Sequence, residues 1–452
     1  MQTQLLKFFK GMKTVSFCTF GCKLNQSESA GIIKSFVDRG YRVVSMDKSA
    51  DVCVLNTCTV TKRSDAKVRK AVRHVLKQHP ETTIIVSGCY SQVAPYDLLK
   101  IRGIDYILGT DEKFKIFDYF SGPGKRTSPK ICITPAERLQ KAESRPGEYL
   151  NHTRAFLKIQ DGCNHRCSYC IVPFARGPSR SIPIVEVMQQ AELLLQKGYK
   201  EIVLTGVHIG EYGRDLSEKS LLLLLLQQLH QLEGIGRIRL SSLDPEDITD
   251  DLLEFCADSE KICRHFHIPL QSGCDSILRA MNRQYTTKGF REKVDKITAT
   301  FQNVGIGTDI IVGFPGETDA QFDETYRFIE NLSLTYLHIF PFSIRKGTEA
   351  ASMKNQVTAK IRMERARKLR KMGDLKRRRF MTRWKDQTIN VLLEARENRE
   401  WMSGLSSEYL RVEVPFKRGL SNQFVCVWVN EVLASHVRGE VIENEWHHSH
   451  EF

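Results

Sequence analysis

The run from Asp161 to Cys170 carries three cysteines, Cys163, Cys167 and Cys170, spaced C-x3-C-x2-C. Three thiolates at this spacing can wrap one [4Fe-4S] cube and leave its fourth iron open, since no further cysteine lies in the loop. An open iron can take the amino and carboxylate groups of S-adenosylmethionine, whose cleavage at a reduced cluster starts radical chemistry. Structural zinc is the competing reading. Zinc usually needs four ligands in two paired knuckles; here only Cys167 and Cys170 form such a pair, and His165 lies too near them to complete a second.

A second trio, Cys22, Cys58 and Cys89, is dispersed in sequence, but each member follows a predicted strand: Val15 to Cys18, Val52 to Leu55 and Thr83 to Val86. In a parallel sheet these positions converge at the carboxyl edge, where such folds bind ligands. Gly21 and Gly88 directly precede two of them and would let the backbone approach a bulky group. Three convergent thiolates could hold a second cluster with another open iron. They could equally be small core residues, as free cysteine often is. That second reading is taken for Cys18, Cys53, Cys132, Cys256, Cys263, Cys274 and Cys426.

The elements that must position these residues alternate strand and helix. Tyr41 to Ser45 is a further strand of the first segment, and Ser27 to Val37 and Ser64 to Lys77 have helical spacing. Together they predict an N-terminal parallel-sheet α/β domain over 12–125, with the boundary to the next domain between the breaker-rich stretch from Gly122 to Pro129 and Asn151. From Thr153 the alternation resumes. Strands are predicted at Ala155 to Ile159, Glu201 to Leu204, Arg237 to Leu240, His265 to Ile268, Gly307 to Val312 and Tyr336 to Phe340, with helices such as Ile184 to Gln196 and Asp319 to Glu330 between them. Six such units make a central partial (βα)6 barrel over 151–380, whose site should lie on the loops after the strands. Thr205, Gly206, Ser242, Gln271 and Asp309 sit on those loops and are the candidate cofactor contacts. Arg176 and Arg180 could hold a carboxylate of cofactor or substrate, or cap a helix. Alternating runs at Thr388 to Glu394, Tyr409 to Val414 and Phe424 to Val429 predict a small antiparallel β-barrel over 384–447, a shape that often binds single-stranded nucleic acid.

Composition bounds the partners. The chain has 452 residues, 41% hydrophobic and 27% charged, with thirteen cysteines and a net charge of +14. The odd cysteine count in a long chain without a secretory signal favours thiolate ligands over disulfides and a cytoplasmic location. The longest apolar run, Leu221 to Leu226, is too short for a bilayer and reads as one buried helix, so no membrane partner is expected. Lys360 to Arg383 holds twelve Lys or Arg against two acids, a balance of +10 that leaves about +4 for the rest. Such a helix gains little from internal ion pairs and reads as an RNA contact. The tail from His447 to His450 reads as disordered.

Several segments together resemble the radical S-adenosylmethionine methylthiotransferases: Gly21 to Glu28, Asn56 to Val60, Ser87 to Tyr90, the cysteine loop with Ile171 to Gly177, His267 to Gly273, and Asp309 to Thr318. The resemblance implies an auxiliary 4Fe-4S cluster on Cys22, Cys58 and Cys89, and a radical 4Fe-4S cluster on Cys163, Cys167 and Cys170. It also implies S-adenosylmethionine as cofactor and a C-terminal TRAM-like RNA-binding barrel. The Lys23-Leu24 pair and the stretch from His338 to Thr348 look most like the branch acting on threonylcarbamoyl-adenosine beside the tRNA anticodon. The isopentenyl-adenosine branch usually has Gln-Met after its cysteine, and a third branch modifies a ribosomal-protein aspartate. Partners implied are tRNA, a low-potential electron donor and a sulfur source. The different-class alternative is a non-catalytic, zinc-containing RNA-binding protein. The N-terminal extension and Cys274, where serine is expected, depart from the pattern without touching a ligand.

Overall fold

The computed structural model describes residues 12–145, 147, 153–217, 219–397 and 400–442. The tail from His447 to His450 lies outside them. The first domain is a parallel sheet of six strands, β1 (Thr14–Thr19), β2 (Arg42–Val44), β3 (Val52–Thr57), β4 (Thr83–Gly88), β5 (Tyr106–Leu108) and β6 (Lys130–Cys132), in the order β2-β1-β3-β4-β5-β6. β3 and β4 are buried at every position, because a central parallel strand is covered on both faces. β6 lies beyond residue 125 and past the breaker-rich stretch, so the sheet itself ends between Pro129 and Asn151: Gly109 donates to Cys132 O across the pair at 2.9 Å.

α1 (Lys23–Val37) begins four residues before the predicted helix. Its first two turns carry Asn25, Ser27, Glu28 and Ser29, all buried, because the helix is pressed between its own sheet and the second domain. Ala30 belongs to the core of that second domain.

The second domain has six parallel strands, β7 (Arg154–Lys158), β8 (Glu201–Thr205), β9 (Arg237–Leu240), β10 (His265–His267), β11 (Gly305–Val312) and β12 (Tyr336–Pro341). They form two three-stranded sheets, β9-β8-β7 and β10-β11-β12, joined through the parallel bridges Ile238↔Ile262 and Ser242↔His267. The result is a partial barrel, open between β7 and β12. The Leu221 to Leu226 run is only partly buried. Its helix, α2 (Leu222–Gln231), buries Leu222, Leu225, Leu226 and Leu229 and leaves Leu224 exposed.

The basic helix, α3 (Ala359–Thr382), is capped by the Thr358 side chain, which accepts from Ile361 N. It packs on β12, and its far end enters the third domain, where Phe380, Met381 and Trp384 fill the core. Five strands, β13 (Thr388–Glu397), β14 (Trp401–Ser406), β15 (Arg411–Pro415), β16 (Phe424–Val432) and β17 (Val437–Val441), close into a barrel. All its pairs are antiparallel except β15 with β17. The predicted strand from Tyr409 starts only at Arg411, because Tyr409 takes a positive φ of 70° at a turn. That turn plugs the amino end of the partial barrel. Arg239 donates to Ser406 O and Ser407 O at 2.9 Å each, and the Tyr409 ring stacks on His265 at 4.4 Å. Among the described residues no helix is long and apolar enough to cross a membrane.

Candidate functional site: two thiol trios joined by a buried ion network

Cys22 caps α1, Cys58 follows β3, and Cys89 follows β4 directly. The three thiols are mutual electrostatic neighbours. Gly21 and Gly88 have φ of +101° and +93°, and a Cβ on Gly21 would stand 2.5 Å from the Cys58 Cβ. The glycines are therefore required for these loops to pack on one another as well as to clear a ligand. Burial pushes the Cys22 thiol up; Arg176 and the positive end of the α1 dipole oppose this and favour an anionic ligand or cluster there.

In the second trio Cys163 N donates to Gly177 O at 3.1 Å and Cys170 N to Cys167 O at 3.0 Å, which turns the loop back on itself. Arg283 places Nη1 3.4 Å from Cys167 Sγ and is held by Asp244 at 2.7 Å. Burial pushes the Cys170 thiol up to about 12 and the Cys58 thiol up to about 11. Metal uptake must therefore release protons.

Cluster and single-ion readings make different demands on sulfur spacing. A tetrahedral zinc holds thiolates at about 2.3 Å, hence about 4 Å from one another. Among the described residues the donor sets lying within 4.8 Å are Cys163 with His165 and His208, and His267 with Asp309 and His338; neither cysteine trio is that tight. Three thiolates spread more widely than one ion requires, each trio on a glycine-rich edge, fit an iron–sulfur cube. His208 is tied to Asp247 at 2.5 Å. Burial works against its charge, but hydrogen bonds to Asp247 and Cys163 and the nearby carboxylates push it up to about 11.

Of the five candidate cofactor contacts, Gln271 and Asp309 meet Cys170. They line a cavity of about 170 Å³ with Tyr169, Phe340 and, from the first domain, Val60 and Thr61. Gln271 has a left-handed φ of 64°, fixed because its N donates to Asp309 O and its O accepts from Ile311 N. The Asp309 carboxylate lies 3.0 Å from His267 and 3.1 Å from His338. Thr205, Gly206 and Ser242 are not part of this cavity. Thr205 turns to Leu157 O at 3.4 Å, Gly206 leaves room for the Gln160 side chain, and Ser242 bridges to His267. Beside Ser242, the buried Ser241 Oγ has no hydrogen-bond partner, as a ligand-binding hydroxyl would.

Arg176 and Arg180 are both engaged by protein groups. Arg176 donates to Glu28 at 2.8 and 3.1 Å, to Asp161 at 2.8 Å and to Asn25 at 2.7 Å; Arg180 binds the carbonyls of Arg176 and Pro178. Glu28 also takes Lys113 at 2.5 Å and Lys158 at 3.0 Å, and Lys158 takes Asp161 at 2.6 Å. Burial alone would raise the Glu28 carboxyl, but Arg176, then Lys113 and Lys158, hold it well below the carboxylate range. This network ties the helix that begins at Cys22 to the strand that leads into Cys163. The residues sequence reasoning missed are Glu28, Lys113, Lys158, Gln160, His208 and Arg283. One signal was present: Lys158 interrupts an otherwise apolar strand, and a lysine there must have a buried partner.

A partial parallel barrel with a three-cysteine loop at its carboxyl mouth defines a radical S-adenosylmethionine enzyme. The Radical SAM superfamily pattern matches residues 157–329, and that of the uncharacterized protein family UPF0004 matches 14–109. A threonylcarbamoyladenosine tRNA methylthiotransferase of Bacillus subtilis is 38% identical over 89% of this chain and 90% of its own. A tRNA-2-methylthio-N(6)-dimethylallyladenosine synthase of Fusobacterium nucleatum is 34% identical over 95% of this chain and 100% of its own. The fold is shared with the radical methyltransferase TsrM of Kitasatospora setae, at a TM-score of 0.54 and 13% identity over 75% of this chain and 74% of that one. The chain belongs to the radical S-adenosylmethionine methylthiotransferase family, and the non-catalytic zinc-protein alternative is set aside. Membership implies one 4Fe-4S cluster and S-adenosylmethionine.

Proposed function

We propose that the chain converts threonylcarbamoyl-adenosine in tRNA to its 2-methylthio derivative. The radical cluster would rest on Cys163, Cys167 and Cys170, and a second, auxiliary cluster on Cys22, Cys58 and Cys89. The observation that carries this reading is that two thiol trios, each on the carboxyl edge of its own parallel sheet, are tied by one buried ion network. Bound there, the two clusters with S-adenosylmethionine supply the radical and the sulfur that an unactivated adenine C–H demands. Gln271 and Asp309 orient the cofactor beside Cys170. Arg283 offsets thiolate charge at Cys167. Arg176 sets the distance between the halves. Val60 and Thr61 help close the cavity from the first domain, excluding water from a reactive centre.

The third domain, of TRAM type, and α3 present the RNA. Eight of the twelve cations of that helix region are exposed: Lys360, Arg367, Lys368, Arg370, Lys371, Arg378, Arg379 and Arg383. The others turn partly or wholly inward; Arg365, for one, pairs with Glu317 and Asp319, and Lys376 binds Leu332 O. The RNA-facing charge is accordingly smaller than the raw count. A low-potential electron donor and a sulfur source complete the reaction, which belongs in the cytoplasm with its tRNA.

Two measurements test this. Anaerobically purified protein should hold about eight irons, falling to about four when Cys58 or Cys167 is replaced by alanine. Nucleoside mass spectrometry of tRNA from a host lacking its own methylthiotransferases should show methylthiolated threonylcarbamoyl-adenosine only when the intact chain is expressed. Four irons in the intact protein would remove the auxiliary cluster, and a methylthiolated dimethylallyl nucleoside instead would reassign the substrate.

A further inference from the structure

The two kinds of relative differ in what their substrate carries on N6. A threonylcarbamoyl group ends in a carboxylate, and a dimethylallyl group is a hydrocarbon. An enzyme that selects the first should offer a buried cation near the base, because a carboxylate leaving water needs a charged partner.

Lys23 is a half-buried cation placed to do this. It is the first residue of α1, next to Cys22, yet its side chain runs away from the trio to the open seam of the partial barrel. Its Nζ lies 5.7 Å from the centroid of the Tyr409 ring, which comes from the third domain. Among the described residues Lys23 makes no hydrogen bond or ion pair. Its electrostatic neighbours are Tyr409, Arg239, Arg154 and Glu201. Glu201 is already taken by Arg239 at 2.8 Å. Among the described residues Arg154 has one ion-pair contact, a long one of 3.5 Å to Glu394, which Arg411 shares at 3.2 Å.

Arg154 and Tyr409 line a cavity of about 270 Å³ between the edge strands β7 and β12, with Tyr336, His338, Arg377 and Arg411. Arg377 also has no hydrogen-bond or ion-pair partner among the described residues. The acid in that lining, Glu408, is buried, and burial pushes its carboxyl up. This cavity adjoins the one at Cys170: His338 lines the first, Asp309 lines the second, and the two side chains meet at 3.1 Å. Along one face of β12, Phe340 of the upper cavity is followed by His338 and Tyr336 of the lower, about 6.6 Å per pair of residues. A threonylcarbamoyl carboxylate stands four bonds beyond N6, about 5 Å away at ordinary bond lengths. A base held at the step between the two cavities, beside Asp309 and His338, can therefore pass its substituent one pair down the seam, toward Tyr336 and Tyr409.

The geometry points to Lys23, assisted by Arg154 and Arg377, as the subsite for the carboxylate of the substrate's N6 substituent, and to Lys23 as the residue that selects this substrate. The inference rests on the substrate reading above, and the test separates the two. Three synthetic anticodon stem-loops are compared, bearing threonylcarbamoyl-adenosine, its carboxamide analogue, or dimethylallyl-adenosine, with the wild-type enzyme and with Lys23→Gln. Iron content is checked in each preparation, since Lys23 neighbours a ligand.

For the wild type, the carboxamide should raise KM about 10- to 100-fold with kcat nearly unchanged, the usual effect of losing a charged hydrogen bond. Lys23→Gln should raise KM for the carboxylate loop by a similar factor and leave the carboxamide loop almost untouched. Arg377→Gln, distant from both trios, should act in the same direction more weakly. Equal effects of Lys23→Gln on both loops, or a wild type indifferent to carboxylate and carboxamide, would overturn the inference while leaving the substrate assignment standing. Turnover of the dimethylallyl loop alone would overturn both.

Discussion

Glu28→Gln is the substitution whose cost the structure defines most sharply. The side chain is fully buried and receives Lys113, Lys158 and Arg176; with Asp161, which Arg180 also approaches at 3.9 Å, the network sets four cations against two carboxylates. Glutamine keeps the shape and leaves those four cations facing one carboxylate. Removing one partner from a buried ion pair costs about 3–5 kcal/mol, because the remaining charge keeps its desolvation penalty. Tryptophan fluorescence would miss the loss, since Trp384, Trp401, Trp428 and Trp446 all lie toward the carboxyl end of the chain. Amide hydrogen exchange in α1 and β7 reports it directly, and 3–5 kcal/mol corresponds to exchange accelerated by about a hundredfold to a few thousandfold. Lys113 is bound to Glu28, and burial pulls its own ammonium down. Glu28→Gln with Lys113→Met restores the original charge excess and should recover at least half of the lost protection. The pH dependence follows from the direction of the shifts. Glu28 and Asp161 are both held below the ordinary carboxylate range. Their contribution is complete above about pH 4, the unfolded value, and is lost as pH falls through the lower folded values. The gap between wild type and Glu28→Gln should narrow only in acid. Exchange changed less than threefold at neutral pH, or a double variant as open as the single one, would refute this account.

Three further outcomes follow from other parts of the molecule. If about five of the exposed α3 cations contact phosphates of a single-stranded loop, affinity should fall roughly a hundredfold between 50 and 200 mM salt, and a flat filter-binding or anisotropy titration counts against that interface. Gln271→Gly relieves a left-handed backbone worth about 1 kcal/mol, so the melting temperature should hold or rise while calorimetric binding of S-adenosylmethionine weakens; a destabilised variant would show that the strain is not there. Replacing Glu28, Lys113, Lys158, Asp161 and Arg176 together by Leu or Met should cost little stability, yet leave cofactor cleavage uncoupled from methylthiolation; retained coupling would remove the positioning role.

Much of the architecture is legible in the chain because its strands are buried on both faces and read as short apolar runs. Arg237 to Leu240, Ile184 to Gln196 and Asp319 to Glu330 fall where hydrophobic periodicity puts them. The start of α1 does not, because Asn25, Ser27, Glu28 and Ser29 are polar residues buried for a contact with another domain, and periodicity assigns polar residues to solvent. β6 was hidden for a similar reason: Lys130 and Ile131 are exposed at the sheet edge and carry no alternation. The two cysteine trios could be seen in sequence because strand ends in a parallel sheet converge whatever the loops do. Arg176 could not, since Glu28 is its partner from 148 residues away and only packing brings them together. The charge of α3 was visible but its direction was not. Arg365 and Lys376 face the barrel, and a count of cations cannot say which way a helix turns.

The choice of an ionic junction between the two thiol-bearing domains has a geometric logic. Apolar surfaces can slide by an ångström at little cost, and chemistry between two fixed centres tolerates less than that. Hydrogen bonds to Arg176 are directional, and its planar guanidinium addresses Asn25, Glu28 and Asp161 at once. Asn25 is one helical turn from Cys22, and Asp161 is two residues from Cys163. Each arm of the guanidinium is thus only a few covalent steps from a proposed cluster ligand, on opposite sides of the interface. The same cation reaches the trio of Cys22, Cys58 and Cys89 electrostatically, being the largest opposing charge around Cys22. A residue placed there for stability alone would be better replaced by leucine; placed for distance and charge, it has no apolar substitute.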